Sequence, residues 1–258
     1  MKIKSNSPAL QGGFTLVEIA IVLLVVTILL GYTVALFPIQ QELKQYRSAN
    51  QEMEQIMAQL VAYAQINGRL PCPDTTRGGS TVDGFEDPDG PDDCEAFFAF
   101  LPGRTLGIDG DYNAAGNLLD PWGQPYLYAV SEETSSDGDV DLVTVNGVRN
   151  EGIAVAIPDL FICDDSNANG NDDDCSDVSG NDVVLNVAAV LVSTGKDRGN
   201  VNSNIQRENT DNFHDGQDDK VYIYAPRSDR PGAEYDDVIK WLSTNVLYSK
   251  MIEAGQLP

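Results

Sequence analysis

The chain has 258 residues, enough for one sizeable globular domain with a small appendage. Its 40 Asp and Glu against 16 Lys and Arg give a formal net charge of -24, which repels phosphate backbones and anionic headgroups and excludes nucleic acid as an expected partner. The acids crowd into Gly-, Asn- and Ser-rich stretches, Asp83 to Asp93, Asp164 to Asp177 and Asp211 to Asp219, and these read as loops.

Residues 1–13 are polar, carry Lys2 and Lys4, and end in Gly12 and Gly13. An apolar run follows from Phe14 to Phe37, in which Glu18 is the only ionisable side chain apart from Tyr32. Its 24 residues, at roughly 1.5 Å each, match a hydrocarbon core of about 30 Å, so the segment predicts a membrane-spanning helix. The small residues precede the apolar core, the reverse of a secretory signal. The two lysines predict a cytoplasmic start, with everything after Pro38 on the outer side, where disulfides persist. The expectation is a single pass through a membrane, with the head outside the cytoplasm. Glu18 stands out: a carboxylate costs roughly 2.5 to 3.5 kcal/mol at a bilayer centre and much less beside a helix start, where the dipole favours it.

Past Pro38, Leu43, Tyr46, Met53, Ile56, Met57, Leu60 and Ala64 recur at three- and four-residue steps, which predicts an amphipathic helix against a domain. Asn67-Gly68 followed by Pro71 and Pro73 is its stop. Strands are predicted at Tyr126 to Val130, Val140 to Val145, Gly152 to Ala156, Val183 to Ser193, Lys220 to Ala225 and Asp237 to Leu242. The run Val187 to Val192 reads as buried on both faces. A last helix over Asn245 to Ala254 starts at Ser243 or Thr244 and stops at Gly255. The fold class expected is α+β, with an antiparallel sheet packed on the long helix and long acidic loops.

Cys72, Cys94, Cys163 and Cys175 allow three connectivities. Pairing in sequence order, Cys72 with Cys94 and Cys163 with Cys175, is preferred because each bridge then closes a short acidic loop.

The string Gly13-Phe14-Thr15-Leu16-Val17-Glu18 closely resembles the processing motif shared by type IV pilins and type II secretion pseudopilins. The resemblance implies cleavage between Gly13 and Phe14 by a prepilin peptidase, methylation of the new Phe14 amine, and a pairing of Glu18 with that amine of a neighbouring subunit. Two opposite charges meeting in an apolar bundle relieve the cost of leaving either alone. Asp120-Pro121-Trp122-Gly123-Gln124-Pro125-Tyr126 is similar to a turn and strand of the major pseudopilins, with Pro and Gly setting the turn and Trp122 and Tyr126 anchoring it.

The organisation implied is pilin-like: a cleaved leader (1–13), a transmembrane and assembly helix in the bacterial inner membrane (14–37), an amphipathic helix of the head (38–67) and a disulfide-bearing, β-rich periplasmic or extracellular head (68–258). The expected role is a structural subunit, minor pilin or pseudopilin, of a type IV pilus or a type II secretion pseudopilus. Its expected partners are other pilin or pseudopilin subunits, the prepilin peptidase and the inner-membrane assembly platform, and it ends in a periplasmic or surface filament. The alternative is a calcium-dependent adhesin or binding module on a pilin-type anchor.

No cofactor is required by this reading, but one loop has the pattern of a calcium site. Asp165, Asn167 and Asn169 place oxygens at alternate positions before Gly170, Asn171 offers a backbone carbonyl, and Asp173 follows. Ser176 stands where an EF-hand has its bidentate Glu, so a complete EF-hand is not expected. Asp109, Asp111 and Asn113, and the Asp211 to Asp219 stretch, are secondary candidates. No catalytic site is expected: His214 is the only histidine, without a nucleophile elbow, phosphate loop or zinc-spaced cluster.

Overall fold

The computed structural model describes residues 15–76, 81–132, 142–164, 182–198, 204–210, 220–230 and 233–257, of which the side chains of 32–39, 182, 204, 205 and 233 are not described. The chain divides into two compact units, Met1–Lys44 and Gln45–Pro258.

Helix α1 runs from Leu16 to Asn67. Thr15 opens it: its hydroxyl accepts the Glu18 backbone N–H at 3.2 Å, satisfying one of the four unpaired donors of a helix start. It closes where the sequence signals, at Gly68, whose φ of 72° suits the left-handed turn and whose N–H returns to the Ala64 carbonyl at 2.9 Å. In the second unit the helix buries Ala49, Met53, Ile56, Leu60 and Ala64, a seam of three- and four-residue steps. Leu43, the first residue of the expected stripe, lies in the other unit and is exposed.

The expected membrane span is overturned. Among the described residues no helix is long and apolar enough to cross a membrane. The single-pass inner-membrane location inferred from residues 14–37 falls with it.

After α1 come strands β1 (Phe98–Phe100) and β2 (Leu127–Val130), helix α2 (Gly147–Glu151), strands β3 (Leu160–Cys163) and β4 (Asp182–Ser193), and helix α3 (Asn204–Glu208). Strands β5 (Val221–Ile223), β6 (Ser228–Arg230), β7 (Ala233–Tyr235) and β8 (Val238–Ser243) follow, and helix α4 (Thr244–Glu253) ends the series. The fold is thus mixed α and β around an antiparallel-rich sheet. Strand β4 organises it: β2 pairs with Ala189 to Val192, β3 with Asp182 to Val187 and β8 with Val187 to Ser193, all antiparallel. The pair β3–β5 is parallel, unlike the antiparallel sheet expected; strands joined by a long connection rather than a hairpin can run the same way.

The run Val187 to Val192 is completely buried, as its unbroken hydrophobicity suggests. Ala188, Ala189 and Leu191 join Tyr128, Val130 and Leu242 in the core under α1. Val187, Val190 and Val192 face the opposite side with Leu127, Ala129, Ile162, Tyr222 and Ile239. Two successive alanines share a face because the register with β8 shifts between Val187 and Ala189.

Two expected strands are turns instead. Residues 142–145 lead into α2 and 152–156 leave it, while Leu142, Val143 and Ala156 still bury in the core. Asn146, at φ 62°, bends the chain here, and the Leu142 carbonyl is taken by the Leu70 N–H at 2.7 Å. Helix α4 stops at Gly255, φ 76°, as expected; Ser243 occupies its N-cap but forms no side-chain bond there.

Cys72 and Cys94 are joined, with Cα atoms 5.5 Å apart, which bears out the preferred pairing for that loop. Cys163 is also disulfide-bonded; Cys175 lies outside the described residues.

Candidate assembly site

Gly13 and Phe14, expected from the sequence to mark a processing site, lie outside the described residues, and Glu18 is described. Thr15-x-x-Glu18 is a capping-box sequence, and the acid sits in the first turn, where the helix dipole favours it. The side chains that follow are apolar and uncovered. Leu16, Val17, Ile19, Ile21, Val22, Leu23, Leu24, Val25, Val26, Ile28, Leu29 and Leu30 are all exposed, and they point to every side of the helix. A helix hydrophobic all round is stable only when something covers it.

The Asp120 turn forms a built fixture against the head part of α1. Asp120 Oδ1 accepts the N–H groups of Trp122 and Gln124 at 2.9 and 2.8 Å, and its Oδ2 accepts the Ser193 hydroxyl at 2.6 Å. Burial pushes this carboxyl above its ordinary value despite those bonds. Gly123, at φ 82°, completes the turn. Trp122 meets Tyr46 edge to face at 4.9 Å, Gln45 donates to the Pro121 carbonyl at 3.1 Å, and the Tyr126 hydroxyl donates to Glu52 at 3.0 Å. The local sequence therefore anchors three points of α1 to the sheet.

Between α1 and this turn lies a cleft of about 550 Å³, lined by Glu52, Gln55 and Ile56 on the helix side and by Asp109, Asp111 and Leu118 opposite, with Tyr126 at its wall. Asp109 and Asp111, secondary metal candidates from the sequence, thus stand at its rim. Their companion Asn113 is committed elsewhere, since its Oδ1 accepts the N–H groups of Ala115 and Asn117 at 2.9 and 3.0 Å. Asp165, Asn167, Asn169, Asn171 and Asp173 lie outside the described residues, as do Asp211 to Asp219 and His214. Among the described residues no group of three or more His, Cys, Asp and Glu is arranged to hold a metal ion.

A buried acid cluster escaped the sequence reading. Asp236 accepts the Gln206 amide at 2.5 Å and the Lys196 N–H at 2.9 Å, and Asp237 accepts the Asn209 amide at 2.8 Å. Burial first, then the neighbouring Asp197, raises Asp236 to about 6, and burial holds Asp237 well above the carboxylate range. Asp237 Oδ1 and Gln206 Oε1 have no hydrogen-bond partner among the described residues. The only sequence signal was the Asp236-Asp237 pair itself, which looks like surface charge until the strand around it is placed.

Comparison of the chain with protein-family models, with curated proteins and with solved structures finds no match to any of them.

Proposed function

We propose that this protein is a structural subunit, a minor pilin or a pseudopilin, cut between Gly13 and Phe14 by a prepilin peptidase and assembled through α1 with like subunits into a type IV pilus or a type II secretion pseudopilus. The observation that supports it is the helix whose twelve large apolar side chains between Leu16 and Leu30 stand uncovered. Burying such a side chain returns roughly 1.5 to 3 kcal/mol. At half that yield, twelve return about 9 to 18 kcal/mol, comparable with the roughly 4 to 15 kcal/mol that association costs. Copies of the same helix are a sufficient cover. A carboxylate enclosed in such a bundle needs a cation, which the Phe14 amine of a neighbour supplies.

The test is Glu18→Ala in the full chain. The sedimentable filament fraction should fall sharply while the head keeps its melting temperature; wild-type fractionation in that variant would refute the reading. Gly13→Ala addresses processing separately, because an unchanged N-terminal mass would remove the proposed cut site.

A second reading, cation binding by the head, is favoured by the orphaned oxygens of Asp237 and Gln206 beside Asp236. The Asp236 carboxylate and the unpartnered oxygens of Asp237 and Gln206 are donors of the kind that a low-affinity extracellular calcium site uses. Millimolar calcium should then raise the melting temperature, and Asp236→Asn with Asp237→Asn should abolish the rise. Loss of the rise in Asp165→Asn with Asp173→Asn instead would assign the ion to that loop, and no rise at all would end this reading.

A further inference from the structure

Three charged side chains meet where two strands of the sheet follow one another end to end. Strands β2 and β8 pair with the same residues of β4 and so lie on its opposite sides, and β3 also lies opposite β8, because Val187 pairs with both Leu160 and Ser243. Hence β2 and β3 run in line along one side of β4, and the end of the first meets the start of the second. Strand β5 begins beside β3 and runs parallel with it. The junction gathers Glu132, two residues past β2, Asp159, the residue before β3, and Lys220, the residue before β5.

Lys220 Nζ lies 2.6 Å from Asp159 Oδ2 and 3.5 Å from Glu132 Oε1. Asp159 Oδ2 is buried and makes no aligned hydrogen bond among the described residues, so the nitrogen is close to the carboxyl group without the geometry of a donor. The other oxygen, Oδ1, accepts the Ser131 hydroxyl at 2.6 Å, and the same Ser131 Oγ accepts the Asp159 N–H at 3.1 Å, which fixes the carboxyl group in place. Val130, Ser131, Leu160 and Val221, next to the three along the chain, are all buried. One carboxylate is enough for an ion pair. An amine against a buried carboxyl group, a second carboxylate within reach as a base and a hydroxyl on the first group's far oxygen are together what amide formation requires.

We propose that Lys220 and Asp159 condense after folding into an intramolecular amide, an isopeptide bond that ties the start of β5 to the start of β3. The Lys220 ammonium first gives one proton to Asp159, leaving a neutral amine and a carboxylic acid. The Nζ lone pair then attacks Asp159 Cγ, which stands one bond beyond Oδ2, at roughly the 3–3.5 Å from which such reactions proceed. Ser131 donates its hydroxyl to the negative charge that develops on Oδ1. Glu132 takes a second proton from Nζ and returns it to the Oδ2 hydroxyl, which leaves as water. One N–C bond forms, one C–O bond breaks, and no oxidant or cofactor is consumed. Although burial pulls it down, Asp159 and Glu132 hold the Lys220 amine above its ordinary value, so the neutral pair is a minority and the bond accumulates slowly. The product closes a covalent ring over the acidic stretches Asp164 to Asp177 and Asp211 to Asp219. Such a ring limits the unfolded chain as a disulfide does, and reductants do not open it.

The test is the intact mass of the full chain with its disulfides reduced. Set against Lys220→Arg, which keeps the positive charge, and with the substitution allowed for, the unaltered chain should be lighter by one water. Proteolysis should release a branched peptide that joins the Asp159 segment to the Lys220 segment. Followed from synthesis, that peptide should accumulate about a hundredfold more slowly in Glu132→Gln. A full mass with no branched peptide after prolonged incubation would overturn the proposal and leave an ion pair only. Because that mass is read on the unaltered chain, misfolding of a variant does not decide the outcome. Accumulation in Glu132→Gln at the wild-type rate would overturn the role given to Glu132, and a missing water mapped to any other pair of residues would overturn the site.

Discussion

Helix α1 holds two stretches that obey different rules. From Leu16 to Leu30 its large apolar side chains face every direction and all are exposed, whereas from Gln45 to Asn67 only a seam is buried, through Ala49, Met53, Ile56, Leu60 and Ala64. The second stretch is a globular-core helix, complete in a single chain. The first has no core of its own, so its stability depends on what covers it. A substitution in one stretch should therefore be felt in association, and in the other in folding.

The sharpest test of that contrast is Leu23→Asp, which should reduce the assembled fraction about a hundredfold or more in a sedimentation assay and leave the melting temperature of the head unchanged. A lowered melting temperature would mean that the exposed stretch supports the head. Next in size, Leu60→Ala, in the buried seam, should cost about 3 kcal/mol of stability in denaturant titration and affect assembly only through folding.

Replacing Cys72 and Cys94 together by Ser should cost about 3 kcal/mol, because the bridge spans a sequence separation of 22 and its loss frees the unfolded chain. Glu86→Gln probes the same loop. Glu86 accepts both Arg69 guanidinium nitrogens at 2.8 Å, the Tyr63 hydroxyl at 2.8 Å and the Cys72 N–H at 3.1 Å, and although burial pushes its pKa up, these partners hold it below the usual range. With Arg69 left without its counterion in a largely buried site, a loss of about 2 kcal/mol is expected.

The smallest effect is on pH. Asp74, raised to about 6 mainly by burial, accepts the Gly84 N–H at 2.6 Å. Between the ordinary carboxylate range and pH 6 the folded state holds a proton that the unfolded state has released, so this group's contribution to stability is full at low pH and is lost as pH rises through 6. Glu86 acts in reverse, and its contribution is lost as pH falls below the ordinary glutamate range. The melting temperature of the head should therefore fall modestly from pH 5 to pH 7, and Asp74→Asn should reduce that slope, leaving the part that Asp236 contributes. An unchanged slope in the variant would exclude Asp74 as its source.

Much of the fold was legible where one period dominates. The α1 seam, its stop at Gly68, the doubly buried run of β4, the strands β2, β5 and β8, and α4 all follow from local pattern and turn residues. Strands β1 and β3 were missed because Phe98–Phe100 and Leu160–Cys163 are only three and four residues long, too short to establish an alternation. The opposite error arose at 142–145 and 152–156, where buried turns carry the same apolar spacing as strands. At the candidate sites, Glu18 was legible because a lone acid in an apolar run stands out, whereas the Thr15 cap went unread although its signal is local. The Asp236 and Asp237 cluster was not, since its partners Asp197, Gln206 and Asn209 come from distant segments and a buried acid looks like a solvated one in sequence.

What the sequence by itself determined is whatever neighbouring residues settle among themselves: the capped start of α1, the apolar stretch behind it, the helix seam and the Asp120 turn. The tertiary structure alone decided which strands meet, that β3 and β5 run parallel, that Asp109 and Asp111 line a cleft beside α1, and which acids are buried. The physical reason is range. Capping, helical periodicity and turn preference act over about four residues, whereas desolvation and charge pairing depend on what the folded chain brings within a few ångströms.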